Sequence, residues 1–245
     1  MQATPIWKII CQCRNQAILV LILFASISMS GQGNNGNYNY LDFQAKPYYF
    51  GITLGLNNSE FKPFYSNEFV LNDSINSAIT PAGPGFNLGI VTNLKIGRYF
   101  DFRLLPTLAF AERKVSYTPT VANATQREAS LSSVFVELPF HVRYKSEPWN
   151  DLRVFVVGGV KYSFDVASES NARDNNNALK VSPNDFALEI GAGVQFFFPF
   201  FIFSPEIKYS HGLGNIQLYD STLPQSAIFQ QIHSRTFTIS FHFEG

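Results

Sequence analysis

The residues Asp185 to Ser210, DFALEIGAGVQFFFPFFIFSPEIKYS, restrict this chain more than any other stretch. From Phe186 the apolar side chains return at every second position (Phe186, Leu188, Ile190, Ala192, Val194, Phe196), with Ala187, Glu189, Gly191, Gly193 and Gln195 between them. That is the period of a β-strand. After Phe198, Pro199 and Phe200 the chain runs back with Phe201, Phe203, Pro205, Ile207 and Tyr209 on one face and Ser204, Glu206, Lys208 and Ser210 on the other. A water-soluble hairpin carries polar turn residues at its tip, whereas this tip is the most aromatic spot in the chain. A membrane accounts for both features. Aromatic rings gather at the lipid–water boundary, Phe and Ile face lipid, and the charged face turns into a barrel. The soluble alternative is a β-sandwich with an aromatic core.

The same alternation recurs along the chain. It predicts strands over Tyr48 to Asn57, Gly85 to Lys95, Tyr99 to Glu112, Leu131 to Tyr144, Leu152 to Phe164, the two arms of the aromatic hairpin, and Arg235 to Phe243. Long polar connections (58–84, 113–130, 165–184, 212–234) alternate with short turns at Ile96 to Arg98, Lys145 to Asp151 and Phe198 to Phe200. An even strand number with alternating short and long connections is the pattern of bacterial outer-membrane barrels. The sequence therefore predicts an all-β fold, an eight-stranded antiparallel transmembrane outer-membrane β-barrel over residues 48–245. The long loops are expected outside the cell, and the short turns and both termini on the periplasmic side, where Tyr48, Tyr99, Trp149, Phe200 and Phe243 would form an aromatic girdle. Pro106, Pro139 and Pro205 lie inside strands; proline removes a ladder donor, so each is expected to mark a bulge or kink.

Composition fits this reading. The formal net charge is +0, only 15% of residues are charged, and 16% are aromatic, including 25 Phe. A nucleic-acid binder would show a basic footprint. Residues 1–31 are expected to be a signal peptide, with Lys8 and Arg14 ahead of the apolar run Ala17 to Ser30. The uninterrupted part of that run, Ala17 to Ala25, is shorter than the ~20 residues of a spanning helix. Cys11 and Cys13 precede the run, so the chain beyond it has neither a disulfide nor a thiolate metal site. Residues 32–47 are expected to be a polar periplasmic tether without strand or helix pattern.

An eight-stranded barrel is just wide enough to be filled by its inward side chains. The charges predicted to face inward nearly balance: Asp101, Glu137, Glu189 and Glu206 against Arg103, Arg143, Arg153, Lys161 and Lys208, with glycines 51, 55, 89, 159, 191 and 193 leaving them room. Paired carboxylates such as Glu189 and Glu206 can do acid–base chemistry, but only where substrate can enter. His211 and His233, near the outer rim with Ser210, Ser234 and Asp220, are the residue types of a lipid-modifying enzyme. Their other reading is as solvated rim residues. No phosphate loop, zinc-ligand pair or dinucleotide fingerprint is present. The expectation is a protein that is not an enzyme, with no catalytic, metal or cofactor-binding residue and no cofactor. Outer-membrane lipid is its expected partner, and neither nucleic acid nor a small-molecule substrate is.

Five strings then carry a likeness. GPGFNLG (Gly83 to Gly89), YFDFRLLPTLAFAER (Tyr99 to Arg113), LPFHVRYKS (Leu138 to Ser146), QFFFPFFIFSPEIKYS (Gln195 to Ser210) and SRTFTISFHFEG (Ser234 to Gly245) resemble the PorT/SprT family, over the chain from about Lys46 to its end. The resemblance implies an outer-membrane barrel of Bacteroidota required for type IX protein secretion and, in gliding species, for gliding motility, with other type IX secretion components as partners. It implies no catalytic residue. A general structural or adhesive surface barrel shares every physical feature above.

Overall fold

The structure, a computed structural model, describes residues 39–65, 75–119, 127–166, 181–217 and 229–245. The expected signal peptide, residues 1–31, and the tether up to residue 38 lie outside the described residues. The elements in order are α1 (Tyr40–Gln44), β1 (Tyr48–Tyr65), β2 (Ile75–Ile79), β3 (Ala82–Ile96), β4 (Phe100–Leu104), β5 (Thr107–Pro119), β6 (Arg127–Lys145), β7 (Leu152–Asp165), β8 (Asn184–Phe197), β9 (Ile202–Gly212) and β10 (Phe229–Glu244).

All pairings are antiparallel, and β1 pairs with β10 on one side and β3 on the other, so the sheet closes on itself. β4 and β5 lie end to end and form one stave between β3 and β6. With β2 attached only to β5, outside the ring, the barrel has eight staves. The strands run further than the apolar alternation alone predicts. β1 extends to Tyr65 and pairs with β10 there, and β2 pairs with the far end of β5, so parts of the expected long loops are sheet.

Prolines 106, 139 and 205 do not shift the register, contrary to the bulges expected of them. Thr92 faces Leu104 and Gly89 faces Thr107, an unbroken spacing across Leu105 and Pro106. The β6–β7 ladder is continuous through Pro139, and the β9–β10 ladder through Pro205. A strand residue directs its N–H at only one of its two neighbours, so the lost donor is a local loss. Pro106 and Pro139 share a single gap, which the Leu105 N–H closes on the Pro139 carbonyl at 3.2 Å.

At one end of the barrel the chain makes three short turns. Gly97, at φ +85°, and Asn150, at φ 54°, take the left-handed conformations that tight turns need and that Gly and Asn adopt most easily. In the aromatic turn the Phe198 N–H reaches the Phe201 carbonyl at 2.9 Å, and Phe200 is 90% exposed. Arg98 and the Tyr99 hydroxyl both bond Glu147, which ties the first turn to the second and raises the Tyr99 pKa. Tyr48, Tyr99, Trp149, Phe200 and Phe243 are all exposed, the girdle read from the sequence.

α1 departs from the patternless segment expected at residues 32–47. A single helical turn is too short to show a 3.6-residue period or to be stable alone, and tertiary contacts hold it. Phe43 packs with Tyr49, Phe197 and Ile202 inside the barrel end. Asn39 and the Tyr40 N–H bond Asp151 at 3.3 Å, and the Lys95 ammonium bonds the Phe43 carbonyl.

Outward positions along the staves are Phe, Leu, Ile and Val, as at Phe50, Ile52, Leu54 and Leu56 of β1, all exposed. Between them the backbones approach closely at glycine. A Cβ on Gly159 would meet the Phe140 carbonyl oxygen and lie 2.9 Å from the His141 Cα, whereas one on Gly214 would meet nothing within 4 Å. Gly159→Ala should therefore cost about 1–3 kcal/mol through overpacking, and Gly214→Ala should be neutral. Urea unfolding followed by the heat-dependent gel shift of the folded barrel checks this; equal midpoints for the two variants would refute the close-packing account.

Candidate functional site

Because side chains alternate across a strand, each stave lines the interior with every second residue. β6 supplies Lys145, Arg143, His141 and, beyond Pro139, Glu137, and all but Glu137 are buried. Asp101 and Arg103 come from β4, Lys161 from β7, Glu189 from β8, Glu206 and Lys208 from β9, and His242 and Glu244 from β10. The lumen is where the sequence places its charge.

These groups form a network of ion pairs in two clusters along the barrel. Lys145 Nζ lies 2.5 Å from Asp101 Oδ1, and Arg143 reaches Asp101 at 3.8 Å, Glu244 at 3.5 Å and the Asn93 side-chain oxygen at 3.0 Å. Arg103 bridges Glu244 and Glu206, the latter at 3.0 Å. Lys208 and His242 approach the other Glu206 oxygen at 3.7 and 3.6 Å. Further along, His141 Nε2 meets Glu189 at 2.6 Å, and Lys161 spans Glu189 at 3.4 Å and Glu137 at 2.8 Å. Five acids (Asp101, Glu137, Glu189, Glu206, Glu244) thus face five permanent cations (Arg103, Arg143, Lys145, Lys161, Lys208). Such pairing is what allows charge to be buried at all.

Eight of the nine charges expected to face inward do join this network. Arg153 is the exception: it is buried at the short-turn end and donates to the Ser146 and Arg98 carbonyls at 2.7 and 2.9 Å. The sequence reading missed Glu244 and Lys145, which continue the inward phase of β10 and β6 by one more position, and it did not link His141 and His242 to carboxylates. It also missed that aromatic groups close both ends. At the short-turn end Phe43, Tyr49, Phe197 and Ile202 pack together. At the other end Phe135 packs with Ala109 and Ala111, and the Arg113 guanidinium lies between the Phe61 and Phe135 rings, 5.1 and 4.8 Å from their centroids.

The rim candidates do not assemble. His211 and His233 stack with parallel rings, centroids 6.0 Å apart, beside Tyr209 and Phe64 on the outer wall. Ser210 and Ser234 face inward, and the Ser234 hydroxyl donates to Asp185. Neighbours in a strand point to opposite faces, so the wall separates the histidines from the serines. Asp220 lies outside the described residues. Among the described residues no group of three or more His, Cys, Asp or Glu is placed to hold a metal ion.

A closed ring of eight staves, apolar outside and ion-paired within, is the architecture of a small outer-membrane β-barrel. The family model for the outer membrane protein beta-barrel domain matches residues 29–217, and the chain belongs to that family; its place is the cell outer membrane. Similar solved structures are neisserial surface protein A (10% identity, 79% of this chain and 95% of that one, TM-score 0.41) and OprG from Pseudomonas aeruginosa (12%, 80% and 96%, 0.41). Ail, the attachment invasion locus protein of Yersinia pestis, is a third (12%, 82% and 100%, 0.35). No curated protein matches the chain.

Arg103 is the joint of the larger cluster, and Arg103→Met leaves the buried Glu206 and Glu244 one cation short, with Lys208 and His242 still near the first and Arg143 near the second. The loss should be about 3–5 kcal/mol, seen as less folded, heat-modifiable barrel in the outer membrane. Adding Glu244→Gln, which restores the charge balance and leaves Arg143 its contact with Asp101, should recover part of it. Wild-type folding of the single variant would contradict the network's structural role.

Proposed function

We propose that this barrel is a component of the type IX secretion system and, in gliding species, of the motility apparatus, and that it acts by assembling or supporting the secretion machinery. One observation carries the non-chemical half of this reading: the lumen is filled by paired charges and closed by aromatic groups, while the rim histidines and serines stand on opposite faces of the wall. What is left to work with is surface. The secretion half is supported by the likeness of the five strings to the PorT/SprT family. Those strings also contain Asp101, Arg103, His141, Arg143, Lys145, Glu206, Lys208, His242 and Glu244, so they coincide with most of the ion-paired interior.

In this reading the long loops face outward and the short turns, with α1, face the periplasm, where other secretion components can reach them. Deletion of the gene should empty the culture medium of secreted proteins, whereas His211→Ala with His233→Ala should leave secretion at its normal level. Quantitative proteomics of the medium is the measurement. Unchanged secretion after deletion would remove the secretion role, and loss of secretion in the double variant with an abundant, folded barrel would restore an enzyme reading.

A further inference from the structure

The short-turn end holds a cavity of about 290 Å³, near the lower limit of small-molecule sites, which run from about 300 to 1,000 Å³. Its lining divides by chemistry. Phe43, Tyr49, Phe197 and Ile202 give it a buried apolar side, and Lys95, Arg98, Lys145 and Arg153 give it four cations. Gln44, Gly97 and Arg98 are exposed and mark its mouth.

The charges there do not balance, unlike those of the lumen above. Lys145 is matched by Asp101 at 2.5 Å, and Arg98 by Glu147 at 2.8 Å. Asp101 is also shared with Arg143 and the Tyr49 hydroxyl. Among the described residues, neither Lys95 nor Arg153 has a carboxylate within ion-pair distance. Lys95 bonds the Phe43 carbonyl and sits 5.4 Å from the Tyr49 ring centroid. Arg153, only 8% exposed, bonds two backbone carbonyls. Its charge is thus met by backbone dipoles and by no anion within ion-pair distance, and a carboxylate entering the cavity would supply the planar, charge-neutralising partner that a guanidinium fits best.

We propose that this cavity binds the free carboxylate of a peptide chain end that carries an apolar side chain. The carboxylate completes Lys95 and Arg153, and the side chain lies against Phe43, Phe197 and Ile202. A bare phosphate would leave the apolar half of the cavity unfilled, and the volume excludes more than a residue or two of a chain. Capture of a terminal carboxylate beside a side-chain pocket is a recurrent way of reading peptide ends. The inference is independent of the secretion role, since it rests on the cavity alone.

Calorimetric titration of the full-length protein, folded in detergent micelles, with N-acetyl-alanyl-phenylalanine, its C-terminal amide and decanoate tests this. The free acid should bind saturably at one site, the amide at least about tenfold more weakly, and decanoate more weakly than the peptide acid. Lys95→Gln, at a half-exposed position, should reduce acid binding at least about tenfold with the folded gel band retained; Arg153→Gln should do the same, and added salt should weaken the wild type. Equal binding of acid and amide, no saturable binding of the acid, or indifference to Lys95→Gln in folded protein would overturn the proposal. Tighter binding of decanoate than of the peptide would assign the cavity to a lipid-derived acid instead and equally refute the peptide end.

Discussion

Every backbone N–H and C=O that crosses lipid has to find its partner inside the protein, because the hydrocarbon offers none. In this chain the demand is met where β1 joins β10, in a ladder from Gly51–Glu244 to Tyr65–Phe229. That seam brings the last strand beside the first and removes both edges of the sheet. Everything else in the molecule is conditioned by it. Closure at eight staves fixes the diameter, and at that diameter the interior has room for side chains and little else.

The outward positions of each stave take the apolar side chains, and the narrow interior holds a column of charge. The arrangement along it answers the cost of burying ions: Glu137 lies against Lys161, and Asp101, Glu189, Glu206 and Glu244 each touch two or more basic groups. Apolar clusters cap the column at its two ends, and the burial of its members strengthens the attraction between them and raises the cost of losing any one. At the short turns, by contrast, four cations line a cavity.

Much of this was legible in the residues. Period-two alternation separated lipid face from lumen face, and Asp101, Arg103, Glu189 and Glu206 lie where it put them because a strand allows no other choice once one face is known. The reading failed where the alternation has no contrast or stops. In the run Gln195 to Ile202 nearly every residue is aromatic or apolar, so the inward turn of Phe197 and Ile202 leaves no period to detect. Glu244 and Lys145 sit one inward step beyond the last clear apolar residue of β10 and β6, where only the continued phase of the strand points to them. His233 and Ser234 fell in an expected loop, where period says nothing about facing. The prolines produce no bulge for another reason: a lost donor affects one neighbour, and a barrel wall pinned on its other side holds register through the gap, even where Pro106 interrupts its stave between β4 and β5.

The central claim is that the lumen is a structural, ion-paired core and not a passage. Arg103, Arg143, His141 and Glu206 are fully buried at mid-barrel, which no continuous column of water would permit. Insertion of the purified, folded protein into planar bilayers addresses this directly. The account predicts a flat baseline, with no stable conductance steps at neutral pH. Stable, ohmic, water-filled conductance from fully folded protein would contradict it.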